Sequence, residues 1–160
     1  MPQELNSATS AEPNPNDPRV IAVVVSEYNE SITDKLCKAA IKTIIVGGIL
    51  DEDIRLIRVP GAWELIYGTQ LMIKQADCRG VIALGAVIKG ETTHDQHLNR
   101  AVSMGLMQLS IEYNKPVALG LLTVNSLEQA IQRSGGNAGN KGEEAASALL
   151  ACLKLAKTFK

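Results

Sequence analysis

The sequence has 160 residues, enough for one domain with a core of its own. It is 46% hydrophobic and 21% charged with a formal net charge of -1, which excludes a broad electrostatic pull on nucleic acid or anionic lipid. Any anion the protein binds must be caught locally.

Cys37, Cys78 and Cys152 are widely spaced, odd in number and without a CxxC pair. That pattern makes neither a zinc ribbon nor a disulfide framework, and it suits a reducing cytoplasm. No apolar run approaches the roughly 20 residues that span a bilayer, and the N-terminus lacks the basic and apolar regions of a secretory signal. Residues 1–17 carry Asn, Ser, Pro and acidic groups with little to bury, so they read as a flexible arm. Residues 18–160 read as a single domain.

Residues 20–25 (VIAVVV) are continuously apolar, as in a strand covered on both faces. A helix follows, with Ile32, Leu36, Ala40 and Ile44 on one side and Gly47-Gly48 ending it. Residues 54–59 (IRLIRV) alternate like a strand, and Pro60-Gly61 turns the chain into a helix expected over 62–74. Residues 81–88 form another buried strand, after which Gly90-Glu91-Thr92-Thr93 opens a long helix carrying Leu98, Val102, Leu106 and Leu109. The next strand is 117–122 (VALGLL). Ser126 then caps a helix, with Gln129 completing a capping box. A glycine-rich stretch, 135–142, leads to a last helix over 143–158. Strands alternating with helices predict an α/β fold, a parallel sheet with helices on both faces. Ligands of such folds sit beyond the carboxyl ends of the strands.

Three loops occupy those ends. The first, Ser26-Glu27-Tyr28-Asn29, holds one of the few aromatics in a chain with one Trp, three Tyr and one Phe. Tyr28 is either a half-buried ring with a wet hydroxyl or a platform for a flat heterocycle. The second, 59–64 (VPGAWE), sets the single Trp beside a carboxylate at a helix start. Glu64 either complements the helix dipole or accepts bonds from sugar or polyol hydroxyls. The third, 84–94 (LGAVIKGETTH), feeds a helix N-terminus whose N–H groups and hydroxyls form an anion cradle. His94 in that first turn is either structural or a neutral imidazole that takes a proton and returns it.

His97 follows His94 at i+3, on the same helix face. With Asp95 or Glu91 they still lack a third ligand at a recognisable spacing, so no metal is expected. GNKG lacks the GxxxxGK[ST] spacing of a phosphate loop. Arg133 and Lys141 flank it and are either phosphate contacts or surface charges.

In their order and spacing, VPGAWE (59–64), LGAVIKGETTH (84–94), LTVNSLEQAIQRSGG (122–136) and AGNKGEEAA (138–146) resemble the lumazine synthase family. The resemblance covers about residues 19–158. It implies a flavodoxin-like three-layer α/β/α sandwich around a four-stranded parallel sheet, and a cofactor-free enzyme of riboflavin biosynthesis. The family condenses 5-amino-6-(D-ribitylamino)uracil with 3,4-dihydroxy-2-butanone 4-phosphate to 6,7-dimethyl-8-ribityllumazine, releasing phosphate and water.

By the resemblance, Tyr28 lies against the pyrimidine, with Asn29 beside it in the same substrate-binding loop. Ala62, Trp63 and Glu64 wall the ribityl chain, and Ala86, Val87 and Ile88 give backbone contacts to the uracil. Glu91 and Thr92 hold the phosphate-bearing substrate, and His94 transfers the proton. Arg133 binds phosphate from the neighbouring subunit, with Lys141 on the same side. Leu119 stands where many members have a Phe that packs across the interface. Tyr28 replaces a common Phe, Asn137 a frequent Lys, and Asp95 the usual aromatic after the His.

The resemblance also implies homo-oligomers: pentamers with shared sites, assembling into a 60-mer, and an association with riboflavin synthase. Members that stop at pentamers or decamers commonly carry extra residues between the last two helices, and none is evident here between Arg133 and Lys141. In shell-forming members the arm adds a strand to a neighbour. Here Pro13, Pro15 and Pro18 each remove a ladder donor, leaving residues 4–10 for such pairing. A non-catalytic flavin-binding or shell-forming relative would not need His94 together with Arg133. A generic flavodoxin-like nucleotide binder would need a glycine in SEYNES, which has none.

Overall fold

A computed structural model describes residues 17–159. The elements are β1 (Val20–Ser26), α1 (Glu30–Val46), β2 (Ile54–Val59), α2 (Leu65–Ile73), β3 (Cys78–Ile88) and α3 (His94–Tyr113), then β4 (Val117–Val124), α4 (Leu127–Gln132), β5 (Ser134–Gly136), β6 (Gly139–Asn140) and α5 (Lys141–Lys157). The arm expected over residues 1–17, with the pairing by residues 4–10, lies outside the described residues except for Asp17.

The unbroken apolar run of β1 explains the layers. Side chains alternate across a strand, so Ile21, Val23 and Val25 enter one core while Ala22 and Val24 enter the other. The first core is closed by Ile32, Leu36, Ala40 and Ile44 of α1 and by Ala145, Ala146 and Leu149 of α5. The second is closed by Leu65 and Ile73 of α2 and by Val102 and Leu106 of α3. The sheet between them is parallel throughout, in the order β2-β1-β3-β4. Each fully buried aliphatic side chain contributes about 1.5–3 kcal/mol, against about 0–1 kcal/mol for an exposed ion pair. The two cores therefore hold the sandwich.

Cys37 lies in the first core and Cys78 in the second. Burial pushes both thiols above their ordinary range. Cys152 is exposed. Among the described residues no helix is long and apolar enough to cross a membrane.

Several boundaries differ from expectation. Residues 61–64 form turns, with the Leu65 N–H donating to the Ala62 carbonyl, so α2 starts three residues late. β3 begins at Cys78 rather than residue 81, and β4 runs on to Val124, where it pairs with Ile88. The glycine-rich stretch holds a small antiparallel hairpin, β5–β6, with Gly135 and Gly139 at positive φ. Asn140 caps α5 by accepting from the Gly142 and Glu143 N–H groups, which moves the helix start to Lys141. At that first turn α5 meets α1 so closely that a Cβ on Gly142 would run into the Leu36 carbonyl.

Candidate active site

Parallel strands bring Ser26, Val59, Ile88 and Val124 to one edge of the sheet. β1 leads outward to β2 on one side and lies against β3 on the other, which makes the β1/β3 boundary a topological switch point. A cavity of about 430 Å³ opens there. Its walls come from the loop after β1 (Tyr28), the turn after β2 (Gly61, Ala62, Trp63, Glu64), the end of β3 (Ala86, Val87, Ile88) and the entry to α3 (Thr92, His94, Asp95).

The ladder continues past the strand ends and aligns these walls. The Glu27 N–H donates to the Val59 carbonyl at 2.8 Å, and the Tyr28 N–H to the Pro60 carbonyl at 3.1 Å, which sets Tyr28 beside the Trp63 turn. Tyr28 is 73% and Trp63 59% exposed, so two aromatic faces are free to stack. The His94 N–H donates to the Thr92 Oγ1 at 3.3 Å, bracing the start of α3. His94 is exposed and in the first turn of that helix. Asn29 does not line the cavity. It sits at φ 61 as the residue before α1, and its Nδ2 donates to the Ala86 carbonyl.

A second cavity, of about 540 Å³, lies along β4 and α4. Leu119, Gln132, Arg133, Ala138 and Lys141 are among its lining residues, and none of its lining is shared with the first cavity. Glu144 holds the two cations together: its Oε2 is 3.7 Å from the Arg133 guanidinium and 3.3 Å from the Lys141 ammonium. The β5–β6 hairpin fixes their spacing, because the Lys141 N–H donates to the Arg133 carbonyl at 2.9 Å.

Residues 19–157 match the family model described as 6,7-dimethyl-8-ribityllumazine synthase. A 6,7-dimethyl-8-ribityllumazine synthase of Rhodopirellula baltica is 52% identical over 135 residues, covering 84% of this chain and 87% of that protein. Proteins of the same name from Aquifex aeolicus and Cytophaga hutchinsonii are 41% and 40% identical, covering 86% and 94% of this chain and 88% and 94% of those proteins. The chain belongs to the 6,7-dimethyl-8-ribityllumazine synthase family.

Of the residues singled out from the sequence, this member of the lumazine synthase family brings Tyr28, Ala62, Trp63, Glu64, Ala86, Val87, Ile88, Thr92 and His94 to one cavity. Leu119, Arg133 and Lys141 go to the other. Glu91 is exposed and in neither lining. Among the described residues no three His, Cys, Asp or Glu side chains gather as metal ligands. Asp95 and Leu98 line the first cavity, and Glu128 and Gln132 the second, without having been assigned to a site from sequence. Asp95 was legible as a metal ligand weighed beside His94 and His97 and as a departure from the family pattern, and Gln132 only as part of the segment 122–136 that carries the resemblance.

Proposed function

We propose that the chain condenses 5-amino-6-(D-ribitylamino)uracil with 3,4-dihydroxy-2-butanone 4-phosphate to 6,7-dimethyl-8-ribityllumazine, at a site joined from the cavities of two neighbouring copies. The observation that carries this is a division of chemistry. The first cavity has aromatics, two carboxylates and His94 but no Lys or Arg, and the second has Arg133 and Lys141. A flat, hydroxyl-rich pyrimidine suits the first. A phosphate monoester suits the second.

In this scheme the pyrimidine lies between Tyr28 and Trp63, with backbone groups of Ala86, Val87 and Ile88 at its edge. Glu64 accepts from ribityl hydroxyls. The amine attacks the ketone and an imine forms as one water leaves. Phosphate departs by elimination to an enol, which tautomerises to a ketone, and the second amine closes the ring on that ketone as a second water leaves. His94 moves protons, Thr92 and Glu91 border the second substrate, and Arg133 and Lys141 of the neighbour hold the departing phosphate beside Leu119. Holding two substrates together and stabilising the leaving charge supply most of the acceleration. Mixing the protein with both substrates and following lumazine absorbance tests the activity. Product should form in proportion to protein, and no absorbance change above the uncatalysed rate would refute it.

Heterologous contacts that join one copy's first cavity to the next copy's second close into a ring. Leu119, Leu127 and Ile131 are exposed around the second cavity and would be covered by such a contact. The proposed ring is a pentamer, and the tight β5–β6 hairpin between α4 and α5 supports further assembly into a 60-mer. Residues 18–160 form the assembling domain, with residues 1–17 as its arm. The proposed setting is the cytoplasm, in association with riboflavin synthase. Light scattering should give a mass near that of sixty copies; a mass of five or ten would refute the shell.

A further inference from the structure

Among the described residues the carboxylate of Asp95 has no hydrogen-bond or ion-pair partner. It stands in the first turn of α3, where a negative charge suits the helix dipole. Yet its Oδ1 is buried and accepts no hydrogen bond. Among the described residues no basic side chain lies within ion-pairing distance of it. Asn99, one turn further along the same face, has its own Oδ1 buried without a donor. A buried acceptor left in this state is costly, and a small turn of this partly exposed side chain toward a donor in the cavity relieves that cost. Asp95 lines the first cavity together with Glu64 and His94, and that lining holds no Lys or Arg.

We propose that Asp95 accepts a hydrogen bond from the reacting amino group of the pyrimidine, an assignment that rests on the pyrimidine occupying this cavity. His94, its neighbour on the helix, must reach the same nitrogen to move its proton. That requirement puts the nitrogen at the α3 end of the cavity, where Asp95 is. A carboxylate matches an N–H donor and disfavours a phosphate. With Glu64 in the same lining, it also disfavours entry of the butanone phosphate in the wrong half of the site. Asp95 is thus a specificity determinant that selects an amine at the position next to His94.

Calorimetry on the full-chain assembly with a pyrimidine alone reads this contact without turnover. Two ligands are compared: the aminopyrimidine, and an analogue with hydrogen in place of the reacting amine. Asp95→Ala should weaken binding of the aminopyrimidine about tenfold or more and leave the analogue unchanged. Asp95→Asn keeps an acceptor oxygen and should fall in between; being nearly isosteric, it also carries the comparison if the Ala variant fails to fold. The KM for the butanone phosphate should not move. Equal weakening of both pyrimidines, or no weakening of either, would overturn the assignment. A loss of stability with both bindings intact would also overturn it, by assigning the carboxylate to Asn99. Failure of the unmutated protein to bind either pyrimidine would instead overturn the proposed use of the cavity.

Discussion

Asn29 donates from its Nδ2 to the carbonyl oxygen of Ala86 at 2.8 Å, tying the loop after β1 to the strand that floors the first cavity. Its backbone is in the left-handed region, φ 61, which Asn tolerates better than most residues. A glycine there keeps the conformation and removes only the bond. Asn29→Gly should lower stability by about 1 kcal/mol and raise KM for the pyrimidine while changing kcat little. Steady-state kinetics check it; an unchanged KM would show that Ala86 holds its place without Asn29.

The His94 imidazole is exposed, lines the first cavity and makes no ion pair among the described residues. General acid–base catalysis is worth roughly 10²–10⁴ in rate, but an amine and a ketone condense unaided once aligned. His94→Ala should therefore slow turnover by about 10² or less, with assembly unchanged. Turnover at the unmutated rate would remove His94 from the mechanism.

Much of this was legible in the sequence, for reasons that particular residues make plain. The run VIAVVV, rich in β-branched residues, reads as a strand buried on both faces, and Ser126 with Gln129 marks a helix start. The Ser126 side chain does accept from the Gln129 N–H, while the Gln129 Oε1 takes the N–H of Asn125, one residue earlier than a capping box requires. The start of α2 is hidden in the sequence because Ala62, Trp63 and Glu64 all tolerate a helix, and only the turn after Pro60 keeps them out. The first residues of β3 are hidden because Arg79 and Gly80 look unlike a strand; Gly80 is there because Leu149 and Pro116 press on it. Asn29 reads as a ligand contact in a binding loop, because the fold alone brings its amide to the Ala86 carbonyl 57 residues away. The separation of Arg133 from His94 is tertiary, so no local pattern carries it.

Arg55 at the start of β2 reaches across to Asp77 just before β3, with bonds of 2.9 and 3.4 Å to the two carboxylate oxygens. The guanidinium's hydrogen bond holds the Asp77 carboxyl below its usual range. A depressed folded-state pKa contributes stability above the unfolded carboxylate's pKa, and that contribution is lost as pH falls through the folded value. Urea midpoints should decline on acidification from about pH 6 to about pH 2, and more gently in Asp77→Asn. Parallel declines would mean that the pair contributes nothing to acid sensitivity.

Gly142 sits where α5 meets the backbone of α1. A methyl group there must push two helices of the first core apart, and overpacking typically costs about 1–3 kcal/mol. Because the obstacle is a carbonyl rather than a pliable side chain, Gly142→Ala should lose about 3 kcal/mol or fail to fold. Denaturant melts check it. A variant as stable as the original would show that α5 can shift freely.

His94 and Arg133 line separate cavities of one chain, and the proposed site forms where neighbouring copies join those cavities. His94→Ala and Arg133→Ala subunits are unfolded together in equal amounts, refolded, and assayed beside each variant alone. If a site takes His94 from one copy and Arg133 from the next, random assembly restores about one site in four, and the mixture exceeds the mean of the two variants. A mixture no more active than that mean would contradict a shared site.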